Sequence, residues 1–214
     1  MKDKKQLFVS IGLNGLIIIF SLIGLILKLI ENKVQYCLTF AFYTYVLTVI
    51  VFSIYLYFEI RLIKTNKDIN KKLEYYKYVL TIMQTLIMIY WAIFIAPLAG
   101  NEFLGIYLFK GGSLFLHLLS PIASIITLLG YDGVTLNKKQ TLTSLIPTII
   151  YGALIIFLNL VHVLIGPYGF FEVYYSPYPV IFITPFALLF VELIIGYLLY
   201  LCNSASLKAK KQIK

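Results

Sequence analysis

Residues 64–77 read KTNKDINKKLEYYK and lie between two long apolar runs, 37–58 and 78–98. This polar bridge decides the fold, because its lysines fix one side of everything around it. The chain has 214 residues, of which 61% are hydrophobic and 13% charged. Soluble domains carry roughly 25% charged residues. So few charges cannot cover the surface of a soluble domain of this size, and lipid must be the solvent for most of it.

A bilayer core of about 30 Å needs roughly 20 apolar residues in a helix. Six stretches qualify: 7–27, 37–58, 78–98, 112–130, 143–165 and 179–202. Each must be helical, since a backbone group facing lipid has no water to bond. The first follows MKDKK, but it is too long for a signal-peptide core and no small-residue cleavage site comes after it. It reads as a retained span. The expected architecture is all-α, one polytopic transmembrane domain over 1–214 with six helices.

Sorting the eighteen Lys and Arg tests the span count. Lys2, Lys4 and Lys5 precede the first span. Arg61, Lys64, Lys67, Lys71, Lys72 and Lys77 fall in the second loop, Lys138 and Lys139 in the fourth, and Lys208, Lys210, Lys211 and Lys214 in the tail. Only Lys28, Lys33 and Lys110 fall on the other side. One helix more or fewer would mix the two groups. The positive-inside rule then puts both termini in the cytoplasm of a cell-membrane protein. The net charge of +9 is thus a topological signal and an attraction to anionic lipid, and no nucleic-acid partner is expected. Residues 64–77 read first as an inside anchor and second as a lipid-headgroup or partner site.

The opposite side carries GPYGFFEVYYSPYP, 166–179. Its Tyr and Phe suit the membrane interface, and its Gly and Pro suit a shaped loop. It reads as an aromatic belt, alone or also as a substrate mouth in which Tyr168 and Phe170 contact the ligand. Cys37 and Cys202 fall near opposite faces, so no disulfide is expected. No Cys/His spacing resembles a metal site, and no cofactor is implied.

Polar residues inside spans are costly and tend to face the bundle interior. At about 1.5 Å per residue, His117 lies roughly 8 Å below the outer boundary, Thr39 roughly 3 Å and Thr44 roughly 10 Å. Asn159 lies roughly 9 Å deep and His162 roughly 5 Å. They share one outer layer. Pro121 lacks an amide hydrogen and clashes with the carbonyl four residues earlier, which belongs to His117, so a kink with a free acceptor is expected there. Glu192 is the one carboxylate deep in a span. It reads as a helix–helix hydrogen bond, or as a cation or proton site. Asn14 and Gln84 read as interhelical hydrogen bonds. Glu59 and Arg61 read as snorkelling residues at an inner helix end.

A threonine hydroxyl becomes a nucleophile when a neighbouring base removes its proton. His117 is the base candidate, with Thr44 or Thr39 as nucleophile. Thr44 is preferred, being nearer the depth of His117. A site at this depth meets acyl chains and ester carbonyls. Asn159, His162 or backbone near the Pro121 kink are candidate oxyanion donors, and Asn159, His162, Tyr168, Phe170 and Glu192 are candidate substrate contacts.

Three segments carry a family resemblance. SLFLHLLSPIASIITLLGYD (113–132) has a histidine with a proline four residues on. SLIPTIIYGALIIFLNLV (144–161) is followed by GPYGFFEV (166–173). YCLTFAFYTYVLT (36–48) offers two threonine registers. Together they resemble the androgen-induced membrane protein family and its bacterial relatives, over roughly 36–200. The resemblance implies six spans and hydrolysis of fatty acid esters of hydroxy fatty acids by an intramembrane Thr and His. It carries the base role onto His117. Leu38–Thr39–Phe40 matches the animal register. Tyr43–Thr44 matches the bacterial one, where Leu47 and Thr48 replace the family's Ser-Asn. Gly169 interrupts the family's Tyr-Pro-Tyr-Pro-Phe-like loop. The expected partners are membrane lipids and an acyl-chain ligand. Two other readings stand beside the hydrolase. One is a small-molecule or lipid-binding importer component, which shares this size, hydrophobicity and basic face. The other is a scaffold without chemistry.

Overall fold

The computed structural model describes residues 4–65, 69–95, 111–132 and 134–212. All regular structure among them is helical. We label α1 Lys4–Asn32, α2 Phe40–Thr65, α3 Lys71–Tyr90, α4 Gly112–Gly130, α5 Lys138–Leu160 and α6 Tyr178–Gln212. Each is long and apolar enough to cross a membrane. Lys2, Lys67, Lys110, Lys214 and residues 96–98 of the third apolar stretch lie outside the described residues, as do the side chains of Lys33 and Lys211.

Several helices run past their apolar stretches into the charged ends, where polar side chains can hold the last turns. α5 is broken at Ser144–Leu145. Pro147 follows, and a proline disfavours helical geometry in the residue before it and lacks a donor. The short first piece is held by a capping box between Asn137 and Gln140.

The least apolar of the six spans, α3, is the most buried. Every residue from Lys77 to Ile87 is buried. A helix surrounded by protein can carry polar groups because neighbouring helices satisfy them. Gln84 does this for three neighbours. Its Nε2 donates to Thr48 of α2 at 3.1 Å, and its Oε1 accepts from Ser120 and Ser124 of α4 at 2.9 and 3.1 Å. Ser120 in turn meets Ser21 of α1 at 3.1 Å. The expectation of an interhelical bond at Gln84 is met.

Near the lysine-rich end lies a cluster that the charge sorting misplaced. Lys77 belongs to α3, not to a loop, and is fully buried. Its Nζ lies 2.7 Å from Asp132 Oδ2 and donates to Asn14 Oδ1 at 2.5 Å. It also sits 4.1 Å from the ring centre of Tyr55 and 5.0 Å from that of Phe52. Glu59 does not snorkel. It is buried, accepting from Ser10 at 2.6 Å and Asn14 at 2.6 Å. Ser10 Oγ also lies 2.9 Å from Asp132 Oδ1. Arg61 is exposed. Ser10 and Asn14 come from α1, Glu59 from α2, Lys77 from α3 and Asp132 from the turn after α4, so the cluster clamps four segments. On α6, Asn203 donates to Val134 O at 2.7 Å and Lys210 to Gly130 O at 2.5 Å, which holds that same turn from the other side.

Candidate functional site

The other end of the bundle holds two cavities. The first, about 590 Å³, is lined by Lys28, Tyr36, Thr39, Trp91, His117 and Tyr168 among others. The second, about 410 Å³, is a groove between α3, α5 and α6 whose walls include Ile156, Phe171, Ile181, Phe182 and Phe186. Phe182 and Phe186 are mostly exposed, so the groove opens sideways on the lipid-facing flank. Ala41, Tyr90, Trp91 and Tyr168 line both. A polar chamber and an apolar groove therefore share one wall.

The glycines of GGSLFLHLLSP place His117. Gly111 has φ +59°, a conformation that favours glycine, and a side chain there would run into Glu31. A Cβ on Gly112 would lie 2.7 Å from Gly24 O and 3.1 Å from Lys28 N, both backbone atoms of α1. The start of α4 thus crosses directly on α1, and Gly112 N–H meets Glu31 Oε1 at 3.4 Å. Glu31 also pairs with Lys28 at 2.9 Å. From this crossing the chain enters a π turn, Phe115–Leu119, with the Ser120 amide bonded to Phe115 O. A π turn is a common accommodation before a proline. The irregularity expected before Pro121 takes this form, but the carbonyl that accepts the Tyr45 hydroxyl of α2 is that of Leu116, one residue before the His117 carbonyl expected to be free.

His117 is only 3% exposed. Its ring stacks on Trp91 at 4.2 Å and 23°, and its Nδ1 has no hydrogen-bond partner among the described residues. A buried ring nitrogen without a partner costs about 1–3 kcal/mol. Nδ1 itself is closed to solvent, although His117 lines the polar cavity.

Thr39 lines this same cavity at the start of α2. Its hydroxyl donates to Tyr36 O at 2.8 Å and accepts from Phe42 N at 3.2 Å. Thr44 is fully buried, donates to Phe40 O at 2.9 Å, and lines neither cavity. No hydrogen bond joins His117 to either threonine among the described residues.

The remaining candidates divide by role. Asn159 is buried at the end of α5, donating to Leu164 O at 3.1 Å and accepting from Val173 N at 2.9 Å. It ties down the aromatic loop. Asn159→Leu should cost about 1–3 kcal/mol, since it leaves the part-buried Val173 amide and Leu164 carbonyl without their partner; faster proteolysis within 164–177 would report the freed loop. His162 is exposed at φ 57° and stacks on Tyr174 at 4.4 Å. Its amide bonds Asn159 O and that of Val163 bonds Leu158 O, the pattern that ends a helix on a left-handed residue. Phe170 lines the groove and stacks on Tyr168 at 5.3 Å. Glu192 is buried in α6 and accepts from Thr148 of α5 at 2.9 Å, the helix–helix bond expected of it. Thr148 itself lines the groove.

Tyr168 has the most revealing position. Its hydroxyl accepts the Phe40 amide, the first of α2, at 3.2 Å. Burial pushes its phenol up, only partly offset by that amide, so it keeps its proton at neutral pH. Burial does the same to Tyr36. On the α5 side, Tyr151 donates to Leu38 O at 2.7 Å. Sequence reasoning missed Tyr36, Tyr90, Trp91 and Tyr151, because in a chain with eighteen Tyr and sixteen Phe an aromatic residue carries little signal by itself. No family model, curated protein or solved structure matches this chain.

Proposed function

We propose that this chain is a cell-membrane protein with both termini in the cytoplasm, and that it hydrolyses a lipid ester within the membrane. The observation that carries the reading is the shared wall. The polar chamber holding His117 and Thr39 adjoins an apolar groove that opens toward lipid, so one acyl ester could place its carbonyl in the first and its chain in the second. The resemblance to the androgen-induced membrane protein family supports the same chemistry.

Of the two threonines, Thr39 is the better nucleophile, because it shares the cavity with His117 and Thr44 does not. Its hydroxyl proton must turn from Tyr36 O to the His117 imidazole. Thr39 Oγ1 then bonds to the carbonyl carbon, and the carbonyl π pair moves to oxygen. Collapse of this adduct breaks the ester C–O bond, and the leaving alkoxide takes the proton from His117. Water, with His117 again as base, releases the acid and restores Thr39. Asn159 and His162 act here by holding the loop, not by touching the ester.

The test is covalent labelling of protein in lipid nanodiscs by a long-chain fluorophosphonate. Wild type and Thr44→Ala should label, whereas Thr39→Ala and His117→Ala should lose labelling by about 10²–10⁴-fold. Equal labelling of Thr39→Ala and wild type would remove the threonine mechanism. Tight acyl-ligand binding without labelling would favour the lipid-binding importer reading instead.

A further inference from the structure

The position of Tyr168 at the junction of the two cavities suggests a role that the proposed hydrolysis does not yet use. An ester spanning chamber and groove must pass Tyr168 where its polar linkage gives way to its chain. There the Tyr168 hydroxyl already accepts the Phe40 amide at 3.2 Å, and its own proton has no acceptor among the described residues. A hydroxyl that accepts a backbone amide is polarised toward donation. His117 lines the same cavity. The cavity thus offers a bound carbonyl a donor in Tyr168 and brings it to His117, the base of the proposed hydrolysis.

We propose that Tyr168 is a catalytic residue that binds the ester carbonyl oxygen through its hydroxyl and stabilises the negative charge formed there when Thr39 attacks. The inference rests on the hydrolase reading. It replaces Asn159, His162 and the Pro121 backbone as oxyanion donors. Asn159 is already committed at both ends of its amide to the loop, and His162 is exposed and stacked on Tyr174. The Leu116 carbonyl beside the π turn is an acceptor, already taken by Tyr45, and cannot bind an oxyanion. Tyr168 is held for the role from two sides. Its ring stacks on Phe170, and Tyr90 meets it edge-on at 6.3 Å. The start of α2 behind it adds the positive end of a helix dipole to the same spot.

Tyr168→Phe keeps the ring and these contacts and removes only the donor. With p-nitrophenyl palmitate in nanodiscs, kcat should fall about 10²–10³-fold while KM stays near the wild-type value. An unchanged kcat, or a rise in KM alone, would overturn the proposal and leave the hydrolase reading standing. A second measurement does not depend on turnover. A long-chain methyl ketone labelled with ¹³C at its carbonyl should show, when bound, a carbonyl stretch shifted to lower wavenumber. Tyr168→Phe should abolish that shift. If wild type neither labels nor hydrolyses but the shift appears and needs Tyr168, the carbonyl site stands and hydrolysis falls. If the shift is absent, or persists in Tyr168→Phe, the carbonyl site falls.

Discussion

Lys77→Met should destabilise the bundle by about 3–5 kcal/mol, the largest loss expected from any single substitution in this chain. The ammonium lies in no water, between Asp132 at 2.7 Å and Asn14 at 2.5 Å. Removing it leaves the Asp132 and Glu59 carboxylates together in a site of low dielectric, with Ser10 bonded to both. The cost is therefore mainly the uncompensated charge that remains, not the lost attraction. That distinction has a test. Lys77→Met combined with Glu59→Gln and Asp132→Asn should regain most of the stability, because replacing a whole buried ion cluster by neutral groups is often nearly neutral. Thermal unfolding in detergent, followed by tryptophan fluorescence from Trp91, reads both. A single variant as stable as wild type, or a triple variant no better than the single one, would show that the charges are not what binds these four segments.

The cluster also marks where sequence reasoning stopped. Helix number and type were legible because lipid imposes them on any apolar run of that length. Gln84, Asn14 and Glu192 were legible as interhelical bonds because a polar group inside a span has few other uses. Lys77 was not. It sits at the edge of KTNKDINKKLEYYK, where hydropathy cannot separate a lysine in water from one six residues into a helix. Glu59 failed for the same reason, at the other end of the same loop. Its partners Ser10 and Asp132 are 49 and 73 positions away in the chain, one a hydrogen bond to it and the other reached through Ser10. The packing of α1 against α2 and α4 joins them. At the candidate site, depth arithmetic put His117 and the threonines in one layer but could not say which way each faced. Thr39 stands just before α2, after the 3₁₀ stretch Lys33–Leu38, and lines the chamber. Thr44 lies further along, buried against the bundle with its hydroxyl returned to Phe40 O.

Gly112 links this architecture to the chemistry, and Gly112→Ala should damage both. The added Cβ would meet Gly24 O at 2.7 Å and Lys28 N at 3.1 Å, and neither backbone atom can move without moving α1. Overpacking of this kind costs about 1–3 kcal/mol, so α4 should lift away from α1 at its first turn. The π turn begins three residues later, and His117 rides on it. A small displacement there changes how the imidazole meets Trp91 and the chamber, so labelling by the fluorophosphonate should fall more steeply than stability does. Gly24→Ala probes the same crossing from the α1 side: its Cβ would run into Cγ and Cδ2 of the buried Leu116 and lie 3.1 Å from Phe115 Cβ, so it too should lose stability. Gly15→Ala supplies the baseline. Nothing lies within 4 Å of its Cβ position, and removing a glycine from a helix interior should stabilise α1 by about 0.5–1 kcal/mol. Unfolding temperature and labelling rate measured on all three variants separate the effects. If Gly112→Ala loses stability yet labels like wild type, His117 does not depend on this crossing. If it behaves like Gly15→Ala, α1 and α4 do not meet there as closely as the structure has them.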